Sequence, residues 1–322
     1  MTKLVIQIPC YNEEKTLPVT LSSIPRVIPG IDQLELLVID DGSSDRTVDV
    51  ARAHPVDHVI RLPRNMGLAS AFRAGLQAAL DAGADIILNL DADNQYYAGD
   101  IPKLVEPILA GKAAIVVGAR QIADIEHFSP VKKRLQKLGS WVVRCLSHTD
   151  IADAPCGFRA FSREAAMRLN VFSQYTYTLE TIIQAGHERI PVISVPVGTN
   201  GNLRPSRLMR STSQYIHRSL ITILRAFITY SPLRFFATLG ILFLFPGLLI
   251  SLRFMYFYFT GRGEGHVQSL ILSVLLMGAG FFLAVMAFVV DLIAVNRHLL
   301  ENVHWRIQKM DELFRSEKRN NR

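Results

Sequence analysis

The sequence predicts an α/β domain on a mostly parallel, Rossmann-like sheet, followed by interfacial amphipathic helices and a two-helix transmembrane hairpin. Three observations carry this expectation. Short β-branched apolar runs alternate with helix-like stretches as far as about Val197, an arginine-studded amphipathic segment follows, and from Phe235 to Val290 the chain is nearly all apolar.

Strand-like runs fall at Leu4–Ile8, Leu34–Ile39, Val59–Leu62, Ile86–Leu90, Ile115–Val117 and Val192–Val197. Between them Thr47–Ala53, Leu68–Ala82 and Ile101–Leu109 carry apolar residues at helical spacing. Short apolar strands separated by amphipathic helices describe a parallel sheet covered on both faces. Ligands of such sheets bind outside the carboxyl ends of the strands. Residues 1–203 are therefore expected to form the cytosolic catalytic domain.

Residues 204–234 set Arg204, Arg207, Arg210, Arg218, Arg225 and Arg234 among Ile216, Leu220, Ile221, Leu224, Phe227 and Ile228. The apolar set recurs every three or four residues, as in a helix lying in a membrane interface. Residues 235–296 form the hairpin, with spans at about 235–259 and 267–292. Phe235–Leu252 and Val267–Val290 contain no charged residue, and at about 1.5 Å per residue they approach or exceed a hydrocarbon layer of about 30 Å. Arg253 among Phe254, Tyr256, Tyr258 and Phe259 reads as a snorkelling interface residue. Asp291 falls near the opposite surface. The basic tail, 297–322, and the arginines before the first span place both termini and the catalytic domain in the cytosol, making a multi-pass protein of the inner or plasma membrane.

Composition narrows the function classes. The net charge of +7 accompanies a hydrophobic content of 49%, and Lys/Arg clusters beside apolar spans indicate contact with anionic membrane lipids rather than nucleic acid. The three cysteines lack disulfide or metal-ligand spacing, which fits a reducing compartment. Met1 leads directly into an apolar run without a signal-peptide pattern. The nine histidines show no paired ligand spacing, and no Ser-His-Asp or Cys-His set is evident.

Three polar clusters end predicted strands. Pro9-Cys10-Tyr11-Asn12-Glu13-Glu14 follows the first, Asp40-Asp41-Gly42-Ser43-Ser44-Asp45 the second, and Asp91-Ala92-Asp93-Asn94-Gln95 the fourth. Each alone reads as a turn with a helix cap. At one edge of one sheet they converge on a single cleft. Asp91 and Asp93, two residues apart, would face the same side of an extended chain. An oxygen-only set of this kind suits Mg²⁺ or Mn²⁺ and argues against zinc.

These clusters resemble family 2 glycosyltransferases, and among them the dolichyl-phosphate mannose synthase-like polyprenyl-phosphate sugar transferases. Arg64-Asn65-Met66-Gly67, Gly118-Ala119-Arg120, Asp153, Gly157-Phe158-Arg159, Arg204 and Ser206-Arg207 complete the likeness, which spans roughly residues 1–210. The resemblance implies a GT-A fold and an inverting transfer of a hexose from a nucleotide-sugar donor, UDP- or GDP-linked, to polyprenyl phosphate. It implies that Asp91, Asp93 and Gln95 hold the cation. Pro9, Tyr11, Asn12, Glu13, Asp40, Asp41, Arg64, Gly67 and Asp91 would bind the nucleotide-sugar. Arg120, Lys133, Arg134 and Arg159 would meet the acceptor phosphate. Asp93, Asp153, Arg204 and Arg207 would carry catalysis, the two arginines closing over the donor diphosphate. Relatives with such a hairpin imply a homo-oligomer, a tetramer.

The acceptor chemistry bears on Asp153. A hydroxyl acceptor needs a general base, whereas a phosphomonoester, with a second pKa of about 6, is already largely dianionic at neutral pH. Asp153 then orients cations or the sugar instead of abstracting a proton. Transfer to a lipid hydroxyl such as that of diacylglycerol is the alternative, and it makes Asp153 an obligatory base. A non-catalytic nucleotide-sugar-binding membrane protein is a remoter one. A processive synthase would need Gln-X-X-Arg-Trp, and neither Trp141 nor Trp305 follows that pattern. Glu180 reads as a packing residue, and Gln121–Ser129 as a loop over the site.

Overall fold

The computed structural model describes residues 1–120, 139–141, 143, 144, 147, 149–171, 177–201, 220, 221, 224, 225, 227–229, 231–261 and 267–320. They fall into two units, Met1–Ile223 with Trp305–Arg322, and Leu224–His304.

The first unit is a seven-stranded sheet of β1 (Lys3–Cys10), β2 (Gln33–Asp40), β3 (His58–Arg61), β4 (Ile86–Asn89), β5 (Ile115–Arg120), β6 (Arg159–Ser162) and β7 (Val192–Val197). Their order across the sheet is β3-β2-β1-β4-β6-β5-β7. β1 pairs in parallel with β2 and β4, and β5 with β7, while β6 runs antiparallel to both neighbours. The mostly parallel, GT-A-like sheet expected above is present. Six of its strands overlay the predicted runs. β6 had no expectation, because it is four residues long and opens on an arginine.

Around the sheet lie α1 (Leu17–Ser23), α2 (Thr47–Ala53), α3 (Leu68–Asp81), α4 (Ile101–Leu109), α5 (Arg163–Arg168) and α6 (Thr178–His187). α3 shows how sequence makes packing. Ala69, Phe72, Leu76, Ala79 and Leu80 are buried at three- and four-residue spacing, giving one apolar face against β1 and β2. Phe72 stacks on Tyr177 with centroids 3.8 Å apart and planes at 2°. A fully buried aromatic of this kind is worth about 1.5–3 kcal/mol from burial. The chain order turns back between β1 and β4, so the loops leaving β1, β2 and β4 open a crevice at the carboxyl edge.

The second unit holds α7 (Pro232–Phe259) and α8 (Val267–Asn320) as far as His304. Pro232–Phe259 and Val267–Arg297 are long and apolar enough to cross a membrane, and their apolar side chains are mostly exposed. They pack antiparallel through small residues one heptad apart, Gly240 and Gly247 against Gly280 and Ser273. A Cβ at Gly280 would lie 2.6 Å from Leu244 Cγ and 2.8 Å from Leu244 N. The buried Ser273 hydroxyl donates to Gly247 O at 2.7 Å. Close backbone approach through small residues with a polar cross-link is how helices associate in lipid, where no hydrophobic force draws them together. The Arg253 guanidinium lies 5.7 Å from the Phe257 ring centroid, within the predicted aromatic belt. The residues described between 220 and 229 are largely helical, whereas 202–219 lie outside the described residues.

Candidate active site

The loops after β1 and β2 are stitched by side chains that cap each other's backbone. Asn12, in the left-handed region at φ 56°, donates its N–H to Ser43 Oγ at 2.8 Å, and its Oδ1 accepts from Ser44 N at 2.8 Å. Glu13 N donates to Thr47 Oγ1 at 2.8 Å, and the Glu13 carboxylate accepts from Thr16 Oγ1. Gly42, at φ +70°, lets the 64–65 backbone lie against the second loop; a Cβ there would sit 2.4 Å from Arg64 C. Asp41 then holds the start of α3, its two oxygens accepting from Met66 N at 2.7 Å and Gly67 N at 2.9 Å. Burial pushes the Asp41 carboxyl above its ordinary value despite those bonds.

These contacts enclose a cavity of about 230 Å³ lined by Pro9, Tyr11, Glu13, Asp41, Gly67, Asp91 and Asp93, with Cys10, Asn65, Leu68, Ala71 and Ala92 between them. Seven of the predicted site residues thus share one wall. Cys10, Leu68 and Ala71 escaped sequence reading because they look like ordinary core residues.

Asp40, expected to touch the nucleotide, is not among the residues that line this cavity. It is fully buried, both oxygens accept from Ser43 N at 3.1 and 3.2 Å, and Arg61 Nε lies 3.4 Å from Oδ2. Its work is to fold the turn that aims Asp41. Arg64 is exposed at the rim.

Asp91 and Asp93 leave β4 at the end of the crevice. The Asp91 carboxyl is pushed up to about 7, first by burial and next by the Asp93 charge. Asn89 Nδ2 lies 3.5 Å from Asp91 Oδ1 and donates to Gly157 O at 3.0 Å, so β4 sets Asp91 against the Gly157 turn. A side chain at 157 would press on Asp91 Oδ2, 2.6 Å from the added Cβ. Two adjacent carboxylates, one resisting ionisation, fit a hard divalent cation that neutralises both. Among the described residues no three or more His, Cys, Asp or Glu gather for a wholly protein-made cation site. The remaining coordination would come from Gln95, water and substrate phosphate, the usual arrangement for Mg²⁺-type ions.

Beyond the Gly157 turn, Arg120 at the end of β5 meets Asp153. Nε lies 2.6 Å from Oδ2 and Nη2 3.1 Å from Oδ1, a bidentate pair with Asp153 1% exposed. The Arg120 guanidinium lies 6.0 Å from the Tyr96 ring centroid, and Tyr96 OH accepts from Gly157 N at 2.9 Å. Tyr96 is not among the predicted site residues; its signal in the sequence is its place beside Gln95.

Arg159, expected to meet the acceptor phosphate, is fully buried at the start of β6. Nε donates to Cys156 O at 2.7 Å, Nη1 to Thr178 O at 2.7 Å and Thr181 Oγ1 at 2.8 Å, and Nη2 to Ala154 O. Its donors tie the 154–156 turn to α6. Lys133, Arg134, Arg204 and Arg207 lie outside the described residues, as does the 121–129 loop.

The model of the family described as "Glycosyl transferase family 2" matches residues 5–169. An undecaprenyl-phosphate 4-deoxy-4-formamido-L-arabinose transferase from Pectobacterium atrosepticum is 29% identical over 86% of this chain and 84% of its own length. An undecaprenyl-phosphate mannosyltransferase from Micrococcus luteus is 29% identical over 51% of this chain and 68% of its own. Among solved structures, glucosyl-3-phosphoglycerate synthase from Mycobacterium tuberculosis, in complex with Mn²⁺, UDP and glucosyl-3-phosphoglycerate, superposes with a TM-score of 0.53. It is 22% identical and covers 69% of this chain and 80% of that one, a likeness of fold.

Proposed function

The chain belongs to glycosyl transferase family 2 and is a glycosyltransferase, and from that membership we propose that it transfers a hexose from a UDP- or GDP-sugar to polyprenyl phosphate at the cytosolic membrane face. The observation that carries the acceptor assignment is the Arg120–Asp153 pair. A carboxylate gripped at both oxygens by a guanidinium is poorly placed to take a proton. An acceptor that arrives already anionic needs no base, and needs a fixed cation. Arg120, held rigid by Asp153 and Tyr96, supplies that cation. The same pairing speaks against transfer to a lipid hydroxyl.

In the reaction, an acceptor phosphate oxygen attacks the anomeric carbon as the carbon–oxygen bond to the nucleoside diphosphate breaks. The electron pair leaves with the diphosphate. Attack from the opposite face inverts the centre. A divalent cation on Asp91, Asp93 and Gln95 would neutralise the charge that develops on the leaving group. The cavity lined by Pro9, Tyr11, Glu13 and Asp41 takes the nucleotide, and the family resemblance assigns Arg204 and Arg207 to its diphosphate. The relatives named for undecaprenyl phosphate support this acceptor. The Mn²⁺ and UDP held in complex by the mycobacterial fold relative support the cation and nucleotide class. The α7–α8 hairpin and its basic flanks support a membrane site with both termini cytosolic, and the protein works as a homo-oligomer.

The test is sugar transfer from radiolabelled UDP- and GDP-sugars to undecaprenyl phosphate in detergent, with Mg²⁺ or Mn²⁺ and an Asp93→Ala control. An acid-labile lipid product that needs metal and vanishes in the control supports the reading and names the donor. Label only in a hydroxyl lipid overturns it.

A further inference from the structure

The turn between Asp93 and Gln95 is held from outside the cluster. Asn94 sits at φ 56°, a left-handed conformation that costs a non-glycine residue on the order of 1–2 kcal/mol. The turn's internal bond is weak, with Gln95 N donating to Asp93 Oδ1 at 3.2 Å. Ser23 Oγ makes a long contact with Asn94 Oδ1 at 3.5 Å, and further bonds come from the chain leaving β7. Asn200 Nδ2 reaches Asn94 O at 3.1 Å, Tyr96 O at 3.1 Å and Asn94 Oδ1 at 3.4 Å. Asn200 N donates to Gln95 O at 2.9 Å. Two of the three Nδ2 acceptors are main-chain carbonyls, which only accept, so the amide nitrogen must face them. Tyr96 pairs antiparallel with Thr199, Tyr97 N donates to Gly198 O at 3.1 Å, and Gly198 N donates to Asp100 Oδ2 at 2.6 Å. Residues 198–200 therefore form a short clasp whose last member grips the carbonyls on both sides of Gln95.

We propose that Asn200 is a positioning residue for the cation set: it locks the left-handed turn at Asn94 so that Asp93 and Gln95 keep one arrangement before the donor arrives. The proposal rests on the reading of Asp91, Asp93 and Gln95 as cation ligands. Partners behind metal ligands of this kind typically account for about 10–100-fold in metal affinity. The clasp lies in a surface loop and buries little apolar area, so its loss changes the turn and leaves the sheet intact.

The experiment measures Mn²⁺ binding by electron paramagnetic resonance, with and without UDP, on the full chain in detergent. Asn200→Ala removes the side-chain contacts. Asn200→Asp keeps the shape and loses both N–H donors. Both variants are expected to raise the Mn²⁺ dissociation constant by about 10–100-fold, with the melting temperature of the metal-free protein unchanged. Affinities within twofold of the parent overturn the proposal. So does a melting temperature that falls in step with affinity, since a merely structural role would do that. If the parent itself binds no Mn²⁺ with UDP present, the ligand assignment fails and the proposal with it; if the parent binds and the variants match it, only Asn200 is reassigned.

Discussion

Arg120 and Asp153 meet as a fork, Nε 2.6 Å from Oδ2 and Nη2 3.1 Å from Oδ1, with the carboxylate almost wholly withdrawn from solvent. The geometry makes Asp153 the holder of a cation. Asp153→Asn keeps the shape and removes the charge. We expect the acceptor KM to rise about 10–100-fold, or roughly 1.4–2.8 kcal/mol, with kcat at saturating acceptor much less affected. Steady-state kinetics against polyprenyl phosphate checks this. A collapse of kcat at every acceptor concentration would instead mark Asp153 as the base.

As a proposed cation ligand, Asp91 would link cation binding to pH. Its carboxyl, pushed up to about 7 by burial and then by Asp93, is largely protonated below that pH in the metal-free protein. Proton and cation compete, so divalent-cation affinity should climb from pH 6 to pH 8 and level off above. Without metal the sign for stability is the reverse of the usual carboxylate. Between the ordinary value and about 7 the folded state binds more protons than the unfolded one, so stability falls as pH rises through that window. Saturating Mg²⁺ or Mn²⁺ should flatten the decline. Isothermal titration and thermal melts across pH, each with and without metal, measure both effects.

Arg159 offers a contrast between fold and site. Its guanidinium donates to four acceptors in the interior, and removing it leaves buried carbonyls without partners. Arg159→Met is expected to destabilise the catalytic unit by about 3 kcal/mol or more. Whatever protein folds should keep a normal acceptor KM. Denaturant unfolding followed by kinetics separates the two, and a raised acceptor KM in a fully stable variant would contradict the structural role.

The hairpin depends on small residues where backbones touch. Gly280→Leu would drive a side chain into Leu244, and Gly247→Leu into Met277, whose Cγ lies 2.8 Å from a Cβ at that position. Each should lower the thermal stability of the detergent-solubilised protein. Ser273→Ala, which removes the bond to Gly247 O and a long contact with Met277 Sδ, should cost about 0.6 kcal/mol, the average for such bonds in membranes. Melting followed by a probe within the hairpin orders the three variants.

Local pattern was enough for much of this protein. Six strands, α2, α3, α4 and two apolar spans were legible because apolar periodicity and charge-free length are properties of neighbouring residues. The clusters at Pro9–Glu14, Asp40–Asp45 and Asp91–Gln95 were legible because polar residues that end buried strands have few reasons to be there other than a site. What sequence could not supply was the environment of each charge. Arg120 and Arg159 read alike, as cations for the acceptor phosphate, yet one pairs with Asp153 and the other spends its donors on buried carbonyls and the Thr181 hydroxyl. Only the antiparallel insertion of β6 between β4 and β5 decides which. Asp40 and Asp41 likewise differ by one position along the chain, and the end of β2 puts one inside and the other on the wall. Asn200 carries no motif, and its hold on Asn94 and Tyr96 joins residues more than a hundred positions apart. Spacing along the chain determines which residues share a face; burial and hydrogen bonding, and with them each carboxylate's charge and each arginine's reach, are set only when the strands are laid side by side.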